Sequence, residues 1–284
     1  MSNAPGTLYI VATPIGNLGD WSQRAQEVLS QVSLIAVEDT RHSGKLLSHF
    51  GIQTPLLAYH EHNEQAAAEK ILSRLRDGQS VALISDAGTP LISDPGYPLV
   101  SLALAEGLRV SPIPGPSAVV AALSASGLPT DRFVFEGFLP SKQQARLNRL
   151  EKLKADTRTL VFYESPHRII DSLTDMQAVL GGERVAVLAR ELTKAYETIK
   201  QACLTDLQAW VAQDSNQSRG EIVLLVQGAV DTGPEDAEVE RVLRILLKSL
   251  PIKEAAALAA EITGARKNAL YKQALYIVGK NSGQ

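Results

Sequence analysis

The sequence predicts an α/β chain: two α/β domains with a cleft between them, then a small C-terminal helical domain of helix-turn-helix type. Three observations predict it. Runs rich in Val, Ile and Leu alternate with amphipathic stretches over residues 1–128, the pattern restarts over 129–228, and residues 237–284 carry helical periodicity alone. A chain of 284 residues also accommodates about two domains and a sizeable core.

In the first domain, Leu8–Ala12, Leu34–Val37, Val81–Ile84 and Arg109–Ile113 read as buried strands, because Gly, Pro, Asp and Thr bound them. Ser22 is placed to cap a helix to Gln31, Asn63 to cap Glu64–Arg76, and Pro116 to start a helix through Ala118–Leu123. Strand-helix alternation of this kind builds a mostly parallel sheet. In the second domain, Phe133–Phe138, Leu160–Tyr163, Val185–Leu188, Glu197–Ala202 and Ile222–Val226 read as strands, with helices at Gln143–Leu153 and Ile169–Leu180. The later strands follow one another closely, which predicts a mixed sheet. Gly228–Asp236 reads as a linker. Beyond it Val239–Leu247, Ile252–Ile262 and Ala265–Val278 read as helices, the last two separated by Thr263-Gly264.

Composition narrows the function classes. Net charge is −3, so the whole chain is no basic nucleic-acid coat. Residues 251–284 hold five cations and two anions, a net +3, which leaves −6 for residues 1–250. An acidic body with a basic tail points to an anionic partner at the C-terminus, with Arg266, Lys267, Asn268 and Lys272 on the second helix of the pair. A packing or dimerisation tail is the plainer alternative. Cys203 is the single cysteine, which excludes an intrachain disulfide and fits a reducing, cytoplasmic setting. No apolar run reaches the roughly 18 residues of a membrane span, and the N-terminus lacks a basic segment ahead of an apolar one.

Several common motifs are missing. Thr13-Pro14-Ile15-Gly16-Asn17-Leu18-Gly19 follows the first strand where a dinucleotide fold carries Gly-x-Gly-x-x-Gly. Gly44-Lys45 lacks the rest of a P-loop, and no Gly-x-Ser-x-Gly elbow occurs. His60-Glu61-His62 is two residues short of the zincin spacing and reads as a polar loop, so no metal is expected.

Five polar clusters sit at strand ends, the edge where open α/β sheets bind ligands. They are Glu38–Arg41, Ser85–Pro90, Pro112–Ala118, Tyr163–Arg168 and Arg190–Lys194. Each alone reads equally as a surface ion pair, a cap or a stiff connector. Together they exceed what connecting loops need, and they predict a cleft lined by both domains. The small residues of Asp86–Pro90 and Gly115–Ala118 let backbone groups approach a nucleotide or an adenosyl sulfonium.

Ala12–Leu18, Glu38–Arg41, Ser85–Pro90, Asp94-Pro95-Gly96-Tyr97, Pro114–Ala118, Ser126-Gly127-Leu128, Gly137–Pro140, Tyr163–Arg168 and Arg190–Lys194 occur in this order. The ordered set closely resembles the tetrapyrrole methylase superfamily, the class III methyltransferases, in its ribosomal-RNA-methylating branch. The resemblance spans nearly the whole chain. It implies two domains of tetrapyrrole-methylase type with S-adenosylmethionine folded between them, and a homodimer. It also implies 2′-O-methylation of a cytidine ribose in the decoding region of 16S ribosomal RNA within the small subunit, with the C-terminal helices holding RNA. The sequence departs from the corrin and porphyrin enzymes by carrying Ser-Asp-Ala-Gly-Thr-Pro in place of a Gly-Asp-Pro motif, so their contacts around Asp86 do not transfer.

By that resemblance the cofactor touches Pro14, Ser85, Asp86, Ala87, Gly88, Thr89, Ser117, Ala118 and Tyr163. The chemistry asks for in-line alignment and for help in removing the hydroxyl proton. Glu38, Asp39, Glu164, Glu191 and Lys194 are the unranked candidates for that help. Arg41, His167, Arg168 and Arg190, with Arg266, Lys267 and Lys272 in the tail, suit phosphate. Two rival readings share these features: a class III methyltransferase of a small tetrapyrrole-like substrate, and a DNA-binding regulator whose α/β body senses a ligand.

Overall fold

The computed structural model describes residues 4–230 and 236–281. The chain forms two compact units, 1–228 and 229–284.

The first unit contains two five-stranded sheets. Sheet one holds β1 (Thr7–Val11), β2 (Leu34–Val37), β3 (Leu56–Ala58), β4 (Val81–Ile84) and β5 (Arg109–Ile113), all parallel in the order β3-β2-β4-β1-β5. All four residues of β2 and of β4 are buried, as the unbroken apolar runs require of strands covered on both faces. The connecting helices are α1 (Gln23–Gln31), α2 (Thr40–His49), α3 (Glu64–Arg76), α4 (Tyr97–Ala105) and α5 (Ala118–Ser126). Ser22 caps α1 as expected, its side chain accepting from Ala25 N at 3.2 Å. Asn63 makes no such cap. Its Oδ1 accepts from His60 N and its Nδ2 donates to Ala58 O, so it closes the β3–α3 turn instead. The α5 helix begins at Ala118, after Pro116.

Sheet two holds β6 (Phe133–Phe138), β7 (Thr159–Glu164), β8 (Val185–Arg190), β9 (Thr198–Cys203) and β10 (Ile222–Val226), in the order β6-β7-β10-β8-β9. It is mixed, as predicted. β6 and β7 are parallel, while β10 lies antiparallel between β7 and β8. One face packs on α6 (Gln143–Leu153), α7 (Ile169–Leu180) and α8 (Leu204–Gln213) around Phe162, Leu173, Met176 and Leu188. The other face packs on α5, where Val161, Val187 and Leu225 meet Val119 and Leu123. That apolar contact joins the two sheets.

Four elements escape the sequence reading: α2, β3, α4 and α8. β3 is only three half-buried residues. α4 is apolar all round, with Pro98 in its first turn, so no helical stripe marks it. α8 starts directly at the end of β9, with the Cys203 side chain at its N-cap and no loop between.

The second unit is α9 (Asp236–Leu246), α10 (Ile252–Thr263) and α11 (Lys267–Asn281) around Leu243, Ala256, Ala259, Leu270 and Ala274. Gly264 ends α10 in the left-handed conformation, φ 72°, which turns the chain into α11.

Candidate functional site

Three loops at the C-terminal edge of sheet one are stitched into one surface. Thr13 N donates to Gly88 O at 2.8 Å and Gly88 N returns to Thr13 O at 3.2 Å, tying the β1 loop to the β4 loop. Thr13 Oγ1 adds a bond to Ser85 O, and Thr89 Oγ1 donates to Pro116 O at 2.9 Å, which brings in the β5–α5 loop. Gly88 holds φ 82°, and a Cβ there would meet Ile15 Cγ2 at 3.3 Å. The glycine is therefore required twice, for its backbone and for the approach of Ile15.

Opposite stand residues of sheet two: Tyr163 and Glu164 at the end of β7, Ala189 in β8, and Gly220–Val223 leading into β10. Between the two walls lies a cleft of about 390 Å³, within the range of small-ligand sites. Ile92, Ser93 and Asp94 close one side and Phe138 another. The Phe138 and Tyr163 rings pack 5.6 Å apart. Leu91 and Ser93 hold positive φ of 72° and 70°, as do Glu191 and Thr193 across the cleft at 52° and 66°. Strained backbone of this kind concentrates at ligand sites.

A second hollow of about 480 Å³ adjoins the first. The two share Ile15, Asp86, Ala87 and Glu221 in their walls. Pro14, Gly16, Leu18, Lys194 and a stripe of α2 complete the second one.

The electrostatics of the two are unlike. Around the first, carboxylates crowd. Glu38 is pushed above the usual carboxylate range by burial and then by Asp86, Asp94, Glu61 and Asp39. Asp94 is pushed up by burial and by Asp86, against a hydrogen bond with Ser85. Burial lifts the Tyr163 hydroxyl to about 12, with Asp94 and Glu221 adding to it. Such a cluster stores repulsion that a cation relieves.

Over residues 7–208 the chain matches the family of tetrapyrrole (corrin/porphyrin) methylases, and over 233–277 the RsmI C-terminal HTH domain. It is 61% identical to the ribosomal RNA small subunit methyltransferase I of Pseudomonas aeruginosa, covering 97% of this chain and 99% of that one. The protein of the same name in Escherichia coli O157:H7 is 58% identical over 96% of each chain. The chain belongs to the tetrapyrrole methylase family. Solved structures agree on the fold. A cobalt precorrin-4 methyltransferase superposes with TM-score 0.56 at 17% identity, covering 78% of this chain and 94% of that one. A uroporphyrin-III C-methyl transferase from Thermus thermophilus, complexed with S-adenyl homocysteine, superposes with TM-score 0.53 at 18% identity, covering 78% and 97%.

In this tetrapyrrole methylase the residues singled out for a cofactor gather at the cleft. Asp86, Ala87, Gly88, Thr89, Ser117, Ala118 and Tyr163 line it. Pro14 lines the neighbouring hollow. Ser85 is buried beneath, its hydroxyl bonded to Ala87 O and Gly88 O, so it shapes the loop.

The residues singled out for proton transfer do not gather. Glu164 lines the cleft but is 3% exposed and fully engaged: Oε1 accepts from Ser165 N at 2.7 Å and pairs with Arg168 at 2.8 Å, and Oε2 accepts from Ser172 Oγ at 2.5 Å. Asp39 caps α2, accepting from Arg41 N and His42 N, which holds its carboxyl below the usual range. Glu38 and Glu191 line neither hollow. Lys194 reaches the second hollow, with Nζ 2.7 Å from Glu191 and 3.1 Å from Glu221. Burial alone would depress its pKa, but those two hydrogen bonds outweigh burial and raise it. Lys194 is therefore a fixed cation and no base at neutral pH. Its stem lies on Gly16, where a Cβ would meet Lys194 Cγ at 2.5 Å.

Among the phosphate candidates, Arg41 and His167 are exposed. Arg168 is held by Glu164 and by Leu139 O. Arg190 is 8% exposed and bonds Tyr196 O and Thr198 Oγ1, so its guanidinium builds the β8–β9 turn. In the second unit Arg266, Lys267 and Lys272 are all exposed around the start of α11.

Sequence reasoning missed Asp94, Phe138 and Glu221 as cleft residues. Asp94 carried a signal, since its Asp-Pro-Gly-Tyr run was already among the quoted motifs. Glu221 carried none, because only the insertion of β10 between β7 and β8 brings it to the site.

Proposed function

We propose that the chain methylates the 2′-hydroxyl of a cytidine ribose in the decoding region of 16S ribosomal RNA, with S-adenosylmethionine as donor, as a cytoplasmic homodimer. One observation carries the reading: two hollows, sized for separate ligands, share the wall formed by Ile15, Asp86, Ala87 and Glu221. A donor in one and an acceptor in the other would meet there, and holding two reactants in contact supplies several kcal/mol of a transfer barrier, about 7–11 in the best cases. The names of the relatives, ribosomal RNA small subunit methyltransferase I, support the acceptor class.

The cleft fits the donor. Backbone at Ala87 and Gly88 approaches without side-chain obstruction, Ser117 and Ala118 are small, and the aromatic pair Phe138–Tyr163 offers an apolar wall. The crowded carboxylates suit a cationic sulfur. When bound, S-adenosylmethionine supplies an electrophilic methyl group on that sulfur.

The remaining work falls to side chains of the chain itself. Asp86 stands in the shared wall, its Oδ1 accepting weakly from Asp39 N at 3.3 Å, and takes the hydroxyl proton as the ribose oxygen attacks. That role passes to it from Glu38, Asp39, Glu164, Glu191 and Lys194. Lys194 stays protonated and offers its charge to the incoming nucleotide, with Arg41 and His167 reaching phosphates beyond. Arg266, Lys267 and Lys272 give the second unit its RNA contact. For the dimer, exposed Tyr97, Leu102 and Leu104 of α4 offer apolar surface.

The test is transfer of labelled methyl groups to small subunits from cells lacking this protein, followed by mass mapping of the RNA. One 2′-O-methylated cytidine is expected. Label on a base, or on a tetrapyrrole offered in competition and not on RNA, would overturn the reading. Asp86→Asn is expected to lower kcat by about 10²–10⁴-fold, a loss that saturating donor does not restore, and to weaken donor affinity as well because the cleft loses a carboxylate.

A further inference from the structure

We infer that one face of α2, formed by His42, Lys45 and His49, is the seat of the RNA sugar-phosphate backbone beside the methylated nucleotide. The inference rests on the proposed RNA methylation and adds residues to it.

The three side chains fall at i, i+3 and i+7, so they share a face of the helix. All three line the second hollow, whose walls also carry Asp86, Glu221 and Lys194. Among the described residues Lys45 makes no ion pair. The carboxylate nearest the helix start, Asp39, is occupied as the N-cap. On the far wall Glu221 is tied to Lys194. Lys45 thus gives the α2 face a cation outside any ion pair, while Asp86 and Glu221 stand in the wall shared with the donor cleft. A phosphodiester strand, anionic outside and neutral at its sugar, matches that order of charges.

His42 and Lys45 are exposed and stand outside the core, while His49 packs edge-on to Phe50 at 4.9 Å. α2 is anchored by its other face, through Ser43 and Leu47. Phe50, just past the helix, packs edge-on to Trp21 at 4.8 Å, and Trp21 Nε1 donates to Ala12 O at 3.0 Å. The stripe is thereby fixed to the β1 loop that borders both hollows. Leu18, 44% exposed, and Leu46 add an apolar patch on the same side for the sugar or base.

The experiment uses the full chain and small subunits lacking the modification. The variants are Lys45→Ala, Lys45→Arg and the triple His42→Ala/Lys45→Ala/His49→Ala, assayed for kcat and KM at several salt concentrations, with donor affinity by calorimetry. For the triple variant KM for the particle is expected to rise roughly tenfold or more, with kcat within twofold and donor affinity unchanged. The salt dependence of binding should flatten by about 0.7 in log–log slope for the lysine removed. Lys45→Arg should restore most of the loss. Parental KM and salt slope in the triple variant would overturn the inference while the RNA reading stands. A loss confined to kcat, or a loss of donor affinity, would overturn it as well. If the parent itself transfers nothing to small subunits, the RNA reading fails, and the inference with it.

Discussion

Glu164 shows how one side chain can stand in a site and still serve the fold. It bridges the end of β7 to the start of α7 through Ser165, Arg168 and Ser172, nearly out of reach of solvent. Breaking a buried ion pair by removing one partner costs about 3–5 kcal/mol, somewhat less when the other partner reaches water as Arg168 does. Glu164→Gln is therefore expected to lower the melting temperature by roughly 5–10 °C, read by thermal denaturation. Its kcat should stay within a few-fold of the parent. Glu38 and Asp94 behave oppositely. Their folded-state pKa values lie above the unfolded ones, so the folded chain holds more protons, and stability falls as pH rises from about 4 through the raised values. Glu38→Gln should then stabilise the protein at pH 7 and leave it unchanged at about pH 3, checked by denaturant midpoints at both. A cationic donor favours the ionised form, so donor affinity should be full above the raised values and decline below them. Calorimetry across that window reads the effect. Glu38 and Glu164 were legible in strand-end clusters, and Asp94 was not. Their division of labour was not legible either, since it depends on partners such as Ser172 beside Glu164 and Asp86 beside Glu38 that only the folded chain brings near.

At the level of the element, turns decide more than strands do. Gly220, φ 79°, leads into β10, and a Cβ there would lie 2.3 Å from Glu191 Oε1. Gly220→Ala should displace Glu191, free Lys194 from its place on Gly16, and reduce methyl transfer by more than tenfold. The backbone alone should cost about 1–2 kcal/mol, a fall of a few degrees in a melt. The strands of sheet one were readable because their apolar runs are uninterrupted and their ends punctuated. α2 was not readable, although it borders the site. Thr40-Arg41-His42-Ser43-Gly44 has the composition of a loop, and the helix exists because Asp39 caps it and Leu47 anchors it. The helical period is present, and it is the loop-like first turn that conceals where it begins. Reading 38–41 as a strand-end cluster concealed the face of His42, Lys45 and His49 just beyond it.

For the whole molecule, the division into 1–228 and 229–284 is expected to separate two tasks. The cleft and its neighbour are built entirely from the first unit. A chain ending at Gly228 should bind donor with parental affinity, yet bind small subunits more weakly and with a shallower salt dependence. Calorimetry and a filter-binding series would read both, and unchanged particle binding would remove the helical unit from RNA recognition. The helical C-terminal unit was legible from the change of periodicity near residue 237, and the mixed character of sheet two from the close spacing of its later strands. The strand order was not, because pairing across 60 residues leaves no local mark.

That order has a consequence during synthesis. β10 is the final strand of its sheet to leave the ribosome and yet occupies the middle position, between β7 and β8. Until Val226 has emerged, β6–β7 and β8–β9 are two unjoined ribbons with bare inner edges, the situation that invites mispairing. The N-terminal sheet has no such dependence and can assemble beforehand. Nascent chains arrested before Ile222 should thus resist protease up to about Ser126 and be cut beyond it, and the cleft between the sheets should come into being only with the last few strand residues of its own translation.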